Sequence, residues 1–283
     1  MQVFEHPETM TQWSLAQRDA GISIAFVPTM GALHRGHIAL IERAHELCDL
    51  VVVSIFVNKL QFNVAEDFAK YPRPIEADLK QCEAAGVAAV YAPTHEAMYP
   101  VGFDTKVTPG ILGEPMEGAS RPGHFEGMAT VVVKLFNAVM PHTAVFGEKD
   151  YQQLAIVRAM VRDLNMPLTV DGLATVREDD GLALSSRNVR LSASDRTAAR
   201  AIPQALEAAR NLFASGVRDA KRIEDTVTTA LAAVANCSID YVQIADATNL
   251  SEVTHIERDV VLAIAVWFGD VRLIDNTVLR VHR

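Results

Sequence analysis

The chain is poor in the features that mark secreted, metal-clustered or membrane proteins. Its 283 residues include only three cysteines, Cys48, Cys82 and Cys237. They are far apart, odd in number and without metal or redox spacing. They read as small apolar core residues, and a reducing cytoplasm is the compartment they suit. The opening residues, with Gln2, Glu5 and His6, show no basic-then-apolar leader. No apolar run reaches membrane-spanning length, so no membrane role is expected. Positive charge is in deficit: 26 Lys and Arg against 35 Asp and Glu, a net −9. That balance argues against a broad nucleic-acid footprint but leaves room for a locally basic pocket. No Gly-x-Gly-x-x-Gly follows the first apolar run, which disfavours an ordinary dinucleotide dehydrogenase. There is no low-complexity tract.

What is present is enough apolar residue for a full core: 49% of the chain is hydrophobic and 22% charged. The length suits one large domain or two ordinary ones. Glu8 to Ala20 reads as a helix stopped by Gly21. Ile22 to Val27 reads as a buried strand that Pro28 and Gly31 break. A helical pattern begins near Gly36-His37 and runs to Cys48, and Leu50 to Val57 is a second buried strand. Strand, helix, strand at this spacing is a right-handed βαβ unit. Ile75 to Ala85 continues as helix and Ala88 to Ala92 as a short strand. The pattern then dissolves from Pro93 to Gly127, an interval with six glycines and five prolines. So long a loop in a compact domain is usually functional or disordered, and Tyr99, Phe103, Leu112 and Phe125 argue for order. Met128 to Met140 is a strongly apolar helix, Ala144 to Phe146 a strand, Tyr151 to Leu164 a helix and Leu168 to Leu173 the last strand of this sheet. Ser192 or Ser194 then caps a long Ala-rich helix, and Ile223 to Val234 is another. Strands follow at Ile239–Ile244, Val260–Trp267 and Arg272–Ile274. Helices followed by strands make a separate α+β module, so the division expected is 1–174 and 175–283.

The chemistry concentrates where strands hand over to helices. His34 and His37 lie three residues apart at a helix start, between Gly31 and Gly36. Such an end offers unpaired backbone N–H groups and the positive end of the helix dipole to an anion. Each histidine alone reads first as a cap or a solvated side chain, and the pair is disfavoured as half of a metal site because no Cys or acid lies close enough in sequence to complete one. Gly147-Glu148-Lys149-Asp150 repeats the layout with a lysine suited to phosphate and an aspartate suited to a ribose hydroxyl or a metal-bound water. Ser185-Ser186-Arg187 sets two hydroxyls beside a guanidinium, a clamp for a polyphosphate.

Five stretches together carry a family resemblance: Val27-Pro28-Thr29-Met30-Gly31-Ala32-Leu33-His34-Arg35-Gly36-His37, Val53 to Asn58, Arg121 to Phe125, Phe146 to Gln153, and Asp180 to Asn188. In this order they resemble the pantoate–β-alanine ligase (pantothenate synthetase) family, within the nucleotidylyl transferases that carry a paired-histidine signature. The resemblance implies an α/β fold, with a Rossmann-like parallel sheet and a smaller C-terminal α+β lid domain, and a homodimer built on the larger domain. It implies ligation of pantoate to β-alanine through pantoyl adenylate, with ATP as substrate and Mg²⁺ as cofactor, releasing AMP and pyrophosphate. It assigns catalysis to His34, His37 and Lys149, His37 being the usual proton donor. It assigns ATP binding to Met30, Gly31, Ala32, Leu33, His34, Arg35, Gly36, His37, Gly147, Glu148, Lys149, Asp150, Val176, Leu184, Ser185, Ser186 and Arg187. Gln61, Gln153 and Met30 would hold pantoate, with Gln61 also beside β-alanine and the helix from Met128 walling the dimethyl group. Asp78 would help hold Mg²⁺ through water. Asn58, Arg121 and His124 fall near the site without an assigned role.

One position departs from the family pattern: Asn58 is followed by Lys59 where the family has proline. Lysine loosens the turn before Gln61 and adds charge near two anionic substrates, and function is expected to survive. The rival readings are an adenylyltransferase with a phosphate acceptor and a nucleotide-binding protein without turnover. Gln61 and Gln153 suit a neutral hydroxyl and a carboxylate better than a phosphate, and intact His34, His37, Lys149 and Ser186 favour turnover.

Overall fold

The computed structural model describes residues 1–281. Its first part is a six-stranded sheet in the order β1-β4-β3-β2-β5-β6, every neighbouring pair parallel. The strands are β1 (Gln2–Phe4), β2 (Ile24–Thr29), β3 (Leu50–Ile55), β4 (Ala89–Tyr91), β5 (Thr143–Gly147) and β6 (Thr169–Leu173). The helices between them are α1 (Pro7–Asp19), α2 (Arg35–Leu47), α3 (Ala65–Lys70), α4 (Ile75–Ala84), α5 (His95–Met98), α6 (Glu117–Ser120), α7 (His124–Val139) and α8 (Tyr151–Asp163). Strand residues alternate between two cores. Phe26 and Val52 pack with Met10 of α1 and the apolar faces of α7 and α8. Ala25, Val27, Val51 and Val53 pack with Ile41 and Ala44 of α2 and Cys82 of α4. A sheet buried on both faces is why these strands read as unbroken apolar runs.

The C-terminal part holds α9 (Ala193–Ala198), α10 (Ala201–Ala214), α11 (Ala220–Ala232) and an antiparallel sheet, β7 (Cys237–Asp246), β8 (Val260–Phe268) and β9 (Val271–Leu279), with β8 central. Leu262, Ile264 and Val266 face α10 and α11. Val261 and Ala263 turn the other way, onto Met116 and Tyr151 of the first part. Polar groups reinforce that junction. Arg272 donates to both carboxylate oxygens of the buried Glu117, at 2.9 and 2.7 Å, and Tyr241 Oη donates to the same carboxylate at 3.0 Å.

Several sequence expectations shift. β1 is an edge strand too short to show a pattern. The Ala-rich helix is two helices, α9 capped by Ser192 and α10 beginning at Ala201. The glycine- and proline-rich interval is ordered by short helices, and α7 starts at His124, before the expected Met128. Most telling, Pro28 lies inside β2. Leu50 N–H donates to Ser23 O and Phe56 N–H to Thr29 O, so odd-numbered residues bond β3, whereas His142 N–H donates to Ile24 O on the β5 side. Pro28 therefore directs its missing donor toward β5, and pairing with β5 has already ended at Phe26↔Ala144. No ladder bond is lost, and the strand continues.

Ile264 is fully buried in the C-terminal core. Ile264→Ala is expected to cost about 2–5 kcal/mol of unfolding free energy, measured by urea denaturation.

Candidate active site

β2 stays paired with β3 as far as Thr29↔Ile55 but leaves β5 after Phe26↔Ala144. The chain also reverses its direction across the sheet here, with β3 and β4 on one side of β2 and β5 and β6 on the other. Ligands of open α/β sheets bind at such a switch point, beyond the carboxyl ends of the strands. The gap opens into a cleft of about 250 Å³ lined by both strand ends, α7 and the segments Leu173–Val176 and Leu184–Arg187. A second, much smaller chamber of about 40 Å³ adjoins it and shares Arg121, His124, Lys149, Asp150 and Gln153.

The loop after β2 is held from behind. Gly31 and Ala32 are both left-handed, at φ +80° and +50°. Alanine rarely adopts that conformation unaided. Asp78, almost wholly buried on α4, accepts from Ala32 N–H and from Leu33 N–H, both at 2.8 Å. Asp78 is thus a strut of the loop. This corrects the expectation of a metal contact: its two oxygens are engaged by backbone amides, and it does not line the cleft.

α2 begins with a reciprocal cap. Gly36 N–H donates to His34 Nδ1 at 3.1 Å, and His34 N–H donates to His37 Nδ1 at 3.2 Å. The rings lie 4.1 Å apart, centroid to centroid. Gly36 permits this, because a Cβ there would stand 2.9 Å from His34 Cε1. An Nδ1 that accepts carries no proton, so each neutral imidazole bears its hydrogen on Nε2. Burial pushes His37 down to about 3, with His34 and Lys149 adding to the shift; burial and then Lys149 also lower His34. The pair faces the cleft as two neutral N–H donors.

Lys149 sits on the short turn Glu148–Asp150 after β5, with Nζ 3.6 Å from Asp150. Gln61 is fixed by its neighbours. Asn58 Nδ2 donates to Gln61 Oε1 at 3.0 Å and to Gly127 O at 3.0 Å, and Tyr99 Oη donates to Asn58 Oδ1 at 2.7 Å. Gln61 Oε1 is thereby engaged, and its Nε2 lies 3.3 Å from Met30 Sδ. Leu60 N–H donates to Asn58 Oδ1 and Gln61 N–H to Asn58 O, so Asn58 secures the turn that holds Lys59 in place of proline. His124, lowered to about 4 by burial and Arg121, packs its Nδ1 against Gln61 O at 2.8 Å. Arg121 pairs with Glu117 at 3.4 Å. Across the mouth, Arg187 and Arg190 reach Asp67 of α3 at 3.4 and 3.3 Å.

Of the residues expected at the site, Met30, His34, Gly36, His37, Gln61, Gly147, Lys149, Asp150, Gln153, Val176, Leu184, Ser185, Ser186 and Arg187 line the cleft. Gly31 and Ala32 form the loop behind it, Leu33 belongs to the core, Arg35 turns outward to Glu178, and Glu148 offers its carbonyl to Asn276. Asn58, Arg121 and His124 join the lining. Met128, Val131, Val132 and Leu135 line the cleft along α7, the helix that the resemblance gave as an apolar wall.

A family model described as pantoate-beta-alanine ligase matches residues 2–278. The chain belongs to the pantoate-beta-alanine ligase family. Pantothenate synthetase from Heliobacterium modesticaldum is 50% identical over 281 residues, covering 99% of this chain and all of that one. The one from Geobacter sulfurreducens is 48% identical over 279 residues, 99% of each. The crystal structure of pantothenate synthetase from Thermus thermophilus superposes with a TM-score of 0.90 at 44% identity, over 98% of this chain and 99% of that one. Pantoate-beta-alanine ligase from Francisella tularensis, described as complexed with β-γ ATP and β-alanine, superposes at 0.80 with 32% identity, over 98% and 97%. The α/β fold with its antiparallel C-terminal sheet is that of these ligases.

Two outcomes follow from the loop and the histidines. Asp78→Ala takes the partner from the Ala32 and Leu33 N–H groups and is expected to cost about 1–3 kcal/mol of stability by urea denaturation. In ¹⁵N-detected NMR, His37 should show the Nε2–H tautomer and no titration between pH 8 and 5. The unfolded chain takes up protons below about 6.5 whereas folded His37 and His124 do not until about 3 and 4. Stability should therefore be full above pH 6.5 and fall as the pH drops from 6.5 toward 4.

Proposed function

We propose that this ligase activates pantoate with ATP as pantoyl adenylate and then transfers the pantoyl group to β-alanine. The observation that carries the reading is the convergence of two neutral Nε2–H imidazoles, Lys149, and the amides of Gln61 and Gln153 on one cleft. In the first step a pantoate carboxylate oxygen attacks the α-phosphorus, and the bond to the β-phosphate oxygen breaks. Pyrophosphate leaves with the electron pair. Charge builds on phosphate oxygens, so His34, His37 and Lys149 act by hydrogen bonding and charge, and Ser185, Ser186 and Arg187 close on the departing pyrophosphate. Gln61 presents an N–H to pantoate with Gln153 opposite, and Met30, Met128 and Val131 give its dimethyl group an apolar wall. In the second step the β-alanine amine attacks the acyl carbon, a C–N bond forms, and AMP leaves as the C–O bond breaks. β-Alanine carries a carboxylate as well. Arg121 lines both chambers and would receive it.

Among the described residues no group of three or more His, Cys, Asp and Glu side chains could hold a metal ion, and Asp78 is sealed. These side chains do not fit a resident Mg²⁺. We assign it to the substrate, as the counter-ion of the triphosphate. The remaining parts of the proposal are a division at 174/175 with residues 175–283 as lid, a homodimer, and a cytoplasmic location. No helix among the described residues is long and apolar enough to cross a membrane.

The test is to incubate the chain with ATP, pantoate and β-alanine and follow pyrophosphate and AMP. Pyrophosphate should appear only when pantoate is present, and AMP should follow on adding β-alanine. His37→Ala should slow pyrophosphate release by about 10²–10³-fold. ATP binding without turnover in the parent protein would defeat the reading.

A further inference from the structure

Two consecutive residues of β9, Asp275 and Asn276, lie outside every motif read from the sequence, yet both are buried. Each grips a different flank of the cleft. Asn276 Nδ2 donates to Glu148 O at 2.9 Å and to Lys149 O at 2.8 Å, one amide spanning consecutive carbonyls of the turn that carries Lys149. Asp275 accepts from Arg177 in a bidentate pair, at 2.6 and 2.9 Å, and its Oδ1 also accepts from Asn276 N–H at 2.8 Å. Arg177 in turn donates to Gly181 O at 3.0 Å and bridges Ala183 across a short hairpin. That hairpin leads directly into Leu184-Ser185-Ser186-Arg187.

We infer that Asp275 and Asn276 are positioning residues that set the separation between Lys149 and the Ser185–Arg187 segment, and so gauge the cleft for a triphosphate. This rests on the reading of Lys149 as a phosphate ligand. Neighbouring strand residues cannot move independently, so the two flanks share one rigid reference. Lys149 has a long, flexible stem, and fixing the carbonyls at its root limits where the ammonium can go. A Glu148–Asp150 turn free to rock would leave the charge present but misplaced, and misplacement of about 1 Å can cost about 10²-fold in rate. The pair has no part in the second step, because the adenylate no longer carries β- and γ-phosphates.

The half-reactions separate this role from general support of the fold. Asn276→Ala and Asn276→Asp are compared with the parent protein in pantoate-dependent pyrophosphate release, and in conversion of synthetic pantoyl adenylate and β-alanine to pantothenate. Adenylation should fall about 10²-fold in both variants, while use of the preformed adenylate stays within about threefold. Equal loss of both half-reactions, or loss of neither, overturns the inference. Lys149→Ala and Lys149→Ala/Asn276→Ala complete a cycle. If Asn276 acts through Lys149, its replacement costs nothing further once the ammonium is gone. Additive losses also overturn the inference. If Lys149→Ala alone leaves adenylation unchanged, the reading of Lys149 as phosphate ligand fails, an outcome distinct from an inert Asn276.

Discussion

The parting of β2 from β5 is the constraint from which the site follows. A parallel sheet closes its backbone groups by pairing, and ending one ladder early leaves polar groups that need other partners. Here the ladder stops at Phe26↔Ala144, and the strand beyond it meets the gap with a proline that has no N–H to satisfy. The loop that follows takes its partners from Thr29, whose Oγ1 accepts from Gly31 N–H at 3.1 Å, and from Asp78. The N–H groups of Gly31, Ala32 and Leu33 are thereby paired while the gap stays open. Its walls include the strand ends, the start of α2 and the inner face of α7.

The same constraint explains what was legible in the sequence. Buried parallel strands appear as apolar runs, so β2 and β3 could be found, as could the helix starts with their glycines, histidines and lysine. Pro28 misled because a proline in a strand is harmless only where its neighbour has left, and that is a fact of tertiary structure. Asp78 misled for a similar reason. An acid near an anion site reads as a metal ligand until the two amides that occupy it are seen 45 and 46 residues away along the chain. Asp275 and Asn276 gave no signal at all, since what they do depends on where β9 lies against the Glu148–Asp150 turn. The split between α9 and α10 was hidden because alanine favours helix through the break.

The tautomer of the histidine pair shows how a local backbone arrangement decides chemistry. A helix start must satisfy its first N–H groups, and here imidazole nitrogens accept that task in place of the usual hydroxyl or carboxylate. Each ring then has one hydrogen left, facing the cleft. Burial guards that state by disfavouring a second proton.

The cleft's cations are each matched by a carboxylate close at hand: Lys149 with Asp150, Arg121 with Glu117, Arg187 with Asp67. Pairs so placed offset one another's charge. A small anion that met only one of these couples would exchange one partner for another and gain almost nothing. Only a polyanion long enough to engage several of the cations at once gains more than it displaces. On the proposed function, charge pairing would thereby act as a ruler, favouring a ligand by its reach.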